Sequence, residues 1–128
     1  MAVSSLPGIG FTLTLPNTTT VVAVDDPAFG ANAVAVPDNC RAIVVYNLSA
    51  ANRILVQFQR TAEIGAGLSI LNSIVLPSLS SITFAVGYVG DRPVLFQNGE
   101  TDLYMQAETG TNVQVNISYL QGRGSDLF

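Results

Sequence analysis

Strict alternation of apolar and polar residues is the feature that most limits what this chain can become. From residue 112 to 119 the sequence runs Asn-Val-Gln-Val-Asn-Ile-Ser-Tyr. A strand points successive side chains to opposite faces, so Val113, Val115, Ile117 and Tyr119 share one side; a helix would scatter them around its axis. The same alternation recurs in Phe11, Leu13 and Leu15, in Ile54, Val56 and Phe58, and in Ile82, Phe84 and Val86. Helical spacing is nearly absent.

Residues 42–46 are apolar on both faces, which suits a strand covered on both sides or covered by a neighbouring subunit. Weaker strands are expected at 20–24, 33–36, 68–71 and 94–96. Turn formers separate these runs: Pro16-Asn17, Asp26-Pro27, Pro37-Asp38-Asn39, Gly65 to Gly67, Pro77, Gly87, Gly90 to Pro93 and Thr109-Gly110. Asn98-Gly99 tolerates the positive φ angles of a two-residue hairpin turn, so 94–96 is expected to pair with 102–107. With no helix to cover a sheet, two sheets must cover each other. The expected fold is all-β, a jelly-roll-like antiparallel β-sandwich over residues 11–120, flanked by extended arms at 1–10 and 121–128. Its expected core contains Val44, Ile54, Val56, Phe58, Ile82, Phe84, Leu103, Val113, Val115 and Ile117.

A chain of 128 residues with 48% hydrophobic composition suits one domain with a sizeable core. Charged residues make up only 11%, against about 25% in an average soluble protein. So sparse a surface suggests that partners cover part of it. The net charge is −4, and every basic residue is an arginine: Arg41, Arg53, Arg60, Arg92 and Arg123. Nucleic-acid affinity rests on clustered cations that neutralise phosphates, so scattered arginines argue against DNA, RNA and anionic membrane surfaces alike. Residues 64–90 are uncharged, but Asn72, Pro77 and repeated serines break them well short of the ~18 consecutive apolar residues of a membrane span. The N-terminal residues lack the cationic-then-apolar pattern of a secretory signal, and synthesis in a cytosol is expected.

Histidine and lysine are both absent, which removes the usual general bases and the usual partners of a nucleophilic serine or cysteine. Cys40 stands alone, without a disulfide partner or companion metal ligands, and reads as a small buried side chain. The carboxylate neighbours Asp25-Asp26 and Glu100 with Asp102 lie at turns and read as solvated loop residues rather than a glycosidase pair. Loop oxygens of Asp25, Asp26 or Asp38-Asn39 are of the type that calcium takes, but their spacing matches no EF-hand. Gly8-Ile9-Gly10 and Gly122-Arg123-Gly124 do not join a strand to a helix as a phosphate-binding loop does. The sequons at Asn17, Asn47 and Asn116 read as coincidences in an Asn- and Thr-rich chain. Tyr46, Tyr88, Tyr104 and Tyr119 suit core or interface positions better than a sugar-stacking platform, given the absence of tryptophan. A non-enzymatic protein is expected, with no catalytic residue, no cofactor and no metal.

The stretches Tyr46-Asn47-Leu48-Ser49, Ile54-Leu55-Val56-Gln57-Phe58, Ile82-Thr83-Phe84-Ala85-Val86-Gly87, Asp102-Leu103-Tyr104 and Glu108-Thr109-Gly110-Thr111, with Val113 to Tyr119, resemble small β-sandwich virion proteins of tailed bacteriophages. Head decoration, or cement, proteins are the nearest group. The resemblance covers residues 40–120 as a style of alternation and turn placement, and it carries over no site residue. It implies a protein of the virion, made in the host cytoplasm, that binds and stabilises a capsid lattice. Its partner would be the major capsid protein or another virion protein, and a homo-oligomer, a trimer, is expected. In the arms, Leu6, Ile9, Leu127 and Phe128 are the expected partner contacts. Two alternatives stay open: a head-to-tail connector or tail subunit, and a carbohydrate- or receptor-binding sandwich.

Overall fold

The long alternating stretches form strands, and their apolar sets turn toward one interior. The computed structural model describes residues 8–37, 40–58, 67–85, 88–89, 92–93 and 103–121. Its strands are β1 (Gly8–Leu15), β2 (Val22–Ala23), β3 (Cys40–Asn47), β4 (Ile54–Phe58), β5 (Ile74–Leu76), β6 (Ser81–Ala85), β7 (Tyr88–Val89), β8 (Arg92–Pro93), β9 (Leu103–Ala107) and β10 (Val113–Gln121). Two antiparallel sheets run in the orders β1-β10-β3-β6 and β2-β9-β4-β5, and β7 and β8 form a small separate ladder. Apart from that ladder, the first strand pairs with the last, β2 with β9, β3 with β6 and β4 with β5. A chain doubled into one long hairpin and rolled into two facing sheets is a jelly roll. The fold class expected from the sequence is the fold observed.

The inward faces supply the core. Phe11, Leu13 and Leu15 of β1, Ile43 and Val45 of β3, Ile54 and Val56 of β4, Leu103 and Met105 of β9, and Val113, Val115, Ile117 and Tyr119 of β10 are all buried in one cluster. The Tyr119 ring meets the Phe11 ring edge to face at 5.4 Å, and its hydroxyl donates to the Val34 carbonyl at 2.9 Å. That bond satisfies the polar end of an otherwise apolar burial. A second cluster of Leu55, Leu68 and Tyr104 lies apart from the first, with Val21, Ala23 and Val75 packed against it. Leu55 and Tyr104 alternate with the inward residues, so this cluster occupies the outer face of the β2-β9-β4-β5 sheet, and the chain covers that face with its own residues near Leu68.

Several local expectations are corrected. Val44 is not a core residue. Strand β3 pairs Ile43 with Tyr119 and Val45 with Ile117, which turns Ile43 and Val45 inward and Val44 outward. A register shift between Leu120 and Gln121 pairs Gln121 with Cys40, so Cys40 and Ile43, an odd number of residues apart, both enter the core. Ile54, Val56, Leu103, Val113, Val115, Ile117 and Phe84 are buried as expected, and Ile82 is partly buried against the core. The side chains of Phe58 and Val86 lie outside the described residues. Strand β1 starts at Gly8, pairing Gly8, Ile9 and Gly10 with Leu120, Tyr119 and Ser118, and β10 runs to Gln121, so both strands extend past the boundaries expected at 11 and 120. Residues 33–36 and 68–71 are not strands, whereas Ile74–Leu76 is. Both edges of β9 at Tyr104 and Met105 are taken, by β2 and β4. The segment 94–96, expected to pair there, lies outside the described residues.

The register of β3 can be tested directly. Ile43→Ala should cost about 2–5 kcal/mol by emptying a packed interior, and Val44→Ala less than about 1 kcal/mol. Urea denaturation of both variants measures this; equal losses, or the reverse order, would place the strand one residue out of register.

Candidate functional site

Three surface features emerge from this fold. Among the described residues they are a sheet edge with no partner strand, a sheet face without a buried cluster over it and a shallow groove, and none of them carries a charged side chain at the positions described below.

A two-sheet sandwich has free edges, and exposed edges invite pairing with other chains. Along β1, the loop after β2 closes the edge: Thr14 N donates to the Phe29 carbonyl at 2.8 Å, and a Cβ on Gly30 would come within 2.7 Å of the Thr12 carbonyl oxygen. Only glycine lets the backbone approach that closely. Strand β5 differs. It pairs only with β4, through Ile54, Leu55 and Val56, and its other side meets no described strand. Exposed apolar side chains gather around it: Ile70 and Leu71 precede it, Ile74 lies on it, Leu79 follows it, and Leu48 lies next to Ser49, whose carbonyl accepts from Leu79 N. These are five of the six large hydrophobic side chains exposed among the described residues, and Leu71 is 92% exposed. Residues 47–52 and 67–80 contain no charge.

Hydrogen bonds hold this apolar rim in place. Ser69 N donates to Asn72 Oδ1 at 2.8 Å, Leu71 N to Ser69 Oγ at 3.2 Å, and Asn72 N to the Ser69 carbonyl at 3.2 Å, which fixes the turn that carries Ile70 and Leu71. The buried Gln106 amide anchors the start of that segment, donating to the Leu68 carbonyl at 3.2 Å and accepting from Leu68 N at 3.2 Å, while its second donated bond reaches the Thr18 carbonyl. On the other side of β5, Asn47 is fully buried, donates to the carbonyls of Asn52 at 2.8 Å and Pro77 at 3.1 Å, and accepts from Ser49 N at 3.0 Å. One side chain thereby ties together the two loops that carry Leu48 and Leu79. Leu79 itself has φ 55°, in the left-handed region that favours glycine or asparagine.

The outer face of the β1-β10-β3-β6 sheet is the second feature. The register places its outward residues in rows from β1 to β6: Gly8, Leu120, Ala42 and Ala85; then Gly10, Ser118, Val44 and Thr83; then Thr12, Asn116, Tyr46 and Ser81. Among the described residues no second buried cluster forms on this face as Leu55, Leu68 and Tyr104 do on the other sheet; Val44, Tyr46, Ser118 and Leu120 are half-buried and Ala42 is buried. At its margin lies a groove of about 820 Å³ between β1 and the loop after β2, bordered by Thr12, Thr14, Phe29, Asn32 and Gln114.

The residues singled out from the sequence are distributed differently. Ile9 lies in β1, half-buried against the core; Leu6, Leu127 and Phe128 lie outside the described residues. Asp26 accepts from Ala28 N at 2.9 Å in a local turn, and Glu100 and Asp102 lie outside the described residues. Among the described residues no three of Cys, Asp and Glu gather as a metal site. Asn47, one of the sequon asparagines, is sealed inside the protein and presents no acceptor for a glycan. Tyr104 and Tyr119 are buried, while Tyr46 lies on the outer face of the β1-β10-β3-β6 sheet. No family model, no curated protein and no solved structure matches this chain.

Two buried groups ionise reluctantly. Burial pushes the Cys40 thiol up to about 11, partly offset by its backbone hydrogen bond with Ala42. Burial first, then the charges of Asp25 and Cys40, raises the Tyr119 hydroxyl well above its usual range. Both groups hold their protons more tightly folded than unfolded; the Cys40 contribution is complete below the ordinary thiol value of 9.0 and lost as pH climbs through about 11, and that of Tyr119 is lost at still higher pH. The melting temperature should stay level from neutral pH to about 8.5 and fall above 9. Cys40→Ala should lessen that fall; an unchanged alkaline profile would remove Cys40 from the explanation.

Proposed function

We propose that this chain is a non-enzymatic structural protein of a virion, which decorates and cements a bacteriophage capsid by docking on shell subunits through the open β5 edge and its apolar rim. The gathering of exposed apolar side chains at that edge carries the reading. A free monomer normally blunts such an edge with charge, proline, a bulge or a short strand, because bare edges aggregate; β5 has only three residues and Pro77 follows it, but no charge flanks it. Here Ile70, Leu71, Ile74 and Leu79 surround it instead. An extended segment of a shell protein can add to β5 through main-chain hydrogen bonds while these side chains supply the anchors. Leu79 supports the same reading. A leucine held at φ 55° costs about 1–2 kcal/mol relative to an unstrained backbone, and half of its side chain remains exposed. A strained position that keeps an exposed leucine fits a contact made with another molecule. The charge-poor composition and the resemblance to head decoration proteins point the same way, and the major capsid protein is the partner of choice.

A second reading rests on the groove beside β1, where hydroxyl and amide side chains stand next to Phe29 and no charge intervenes. Such a lining suits a neutral carbohydrate and keeps a receptor-binding role as the alternative.

Cosedimentation with shells of the virus that carries this sequence, purified without this protein, tests the proposal. Wild type should pellet with the shells. Leu71→Ser and Ile74→Ser should weaken binding about tenfold or more each, the worth of one well-buried anchor. Leu79→Gly should weaken binding and yet raise stability by about 1 kcal/mol, since it removes both the contact and the strain. A wild-type protein that ignores shells but is retained by a glycan array would replace the capsid reading with the groove.

A further inference from the structure

The two sheets treat their outer faces differently. The β2-β9-β4-β5 sheet carries Leu55 and Tyr104 outward, and the chain covers them with Leu68. Across the molecule, the outer face of the β1-β10-β3-β6 sheet carries Leu120, Val44 and Tyr46 with no buried cluster of described residues over them. None of the positions in the three paired rows is charged, and the nearest charge is Arg41, half-buried beside Ala42 at the register shift, whereas a solvated surface is normally about 25–35% charged.

We infer that this face binds a second copy of the chain about a two-fold axis that lies in the contact plane, close to the strand direction, between β10 and β3. The register supplies the reason. Such an axis lays β10 of one copy over β3 of the other and keeps the rows aligned. Leu120 then faces Ala42, Val44 faces Ser118, and Tyr46 faces Asn116, each larger side chain meeting a smaller one. The outer strands follow the same rule, with Thr83 over Gly10. Alternating large and small side chains across facing positions is what lets two sheets interdigitate.

Charge and area agree with this occupant. An isologous contact puts each surface against itself, so any charge on it would meet its own sign or lie buried near it; the three rows avoid both, and Arg41 falls beyond the Leu120–Ala42 row at the rim. A nucleic acid or an anionic membrane would find a single cation, Arg41, rather than the cluster that phosphate neutralisation needs. Four strands about 4.8 Å apart and eight residues at about 3.3 Å give roughly 500 Å² per copy, or about 1,000 Å² for the pair, which reaches the lower bound for a specific interface. The inference does not depend on the capsid reading, because the face and the β5 edge belong to different sheets.

Light scattering coupled to size exclusion, on the full chain at high micromolar concentration, tests it. The wild type should have twice the 13.5 kDa mass of one chain. Ser118→Arg and Thr83→Arg, both outward, should each give a monomer with unchanged circular dichroism and a melting temperature that no longer rises with protein concentration as the wild type's does. If Ser118→Arg fails to fold, Thr83→Arg at the sheet edge decides. Leu71→Ser should leave the dimer intact, so loss of shell binding and loss of dimerisation can be told apart. A monomeric wild type, a trimer, which has no two-fold axis, or a dimer that survives both arginine variants would overturn the assignment.

Discussion

Pairing of the first strand with the last is the interaction on which the rest of this fold depends. Eight residues of β1, Gly8 to Leu15, lie in unbroken antiparallel register with Leu120 to Val113 of β10. Every other pair nests inside that one, so the sandwich has no closed interior until the two ends of the described chain meet. Closing so long a loop costs entropy before any contact repays it, which makes topologies of this kind slow to fold. The gain is concentrated on the same strands. Phe11, Leu13 and Leu15 meet Ile117, Val115 and Val113 across the pair, and Tyr119 joins them beside Phe11. Tyr119 also reaches the Val34 carbonyl, which connects the outermost pair to the loop after β2. That loop in turn closes the edge of β1 through Phe29 and Gly30. One strand pair thus organises the core and seals an edge.

The loops are fixed by a different device. A buried amide is expensive unless each of its polar atoms has a partner, and once satisfied it tolerates little movement. Asn47 and Gln106 are such amides, with both nitrogen and oxygen bonded to backbone groups of separate segments. Gly110, with φ +81°, meets the Asn52 amide so closely that a Cβ there would lie 2.7 Å from it, which packs the β9–β10 turn against the loop that Asn47 holds. By contrast, the ion pair of Arg53 with Glu108 is half exposed on the arginine side and adds little to stability. Rigidity near the β5 edge therefore comes from buried amides. Loops held this way can present apolar side chains to a partner without an ordering cost at the moment of binding.

How much of this was legible in the sequence depends on how many consecutive residues carry the pattern. β1, β4, β6 and β10 alternate over several residues, and their faces were readable from periodicity alone. β3 was not: residues 42–46 are apolar on both sides, so nothing local distinguishes Val44 from Val45, and the choice is made by pairing with β10 and by the register shift near Cys40. Glycine concealed the start of β1, since Gly8 and Gly10 read as a flexible arm but form a ladder whose backbone needs no side chain. The candidate site was the least legible part. Ile70 and Leu71 look like the end of a weak strand in the sequence, and only the turn set by Gly67, Ser69 and Asn72 shows that they project outward. β5 has three residues, too few for any period to register.

The distribution of charge joins these observations. An isolated subunit with an apolar rim, an open edge and a face whose paired rows are uncharged would be expected to aggregate, because nothing at those places repels another copy. The same places are harmless if each is covered in a defined way. A face that accepts one copy about a two-fold axis is saturated by that copy, and a three-residue edge is too short to propagate a ladder far. Short edges of this kind attach weakly one at a time. On a lattice, however, a pair of subunits joined through the β1-β10-β3-β6 face would present two β5 edges to neighbouring shell subunits. Engaging the second edge becomes an intramolecular event once the first is held, so a modest single contact yields firm attachment and a cross-link between shell subunits. Under the proposed reading, attachment of this kind would follow from leaving uncovered the surfaces that a monomer would have to protect.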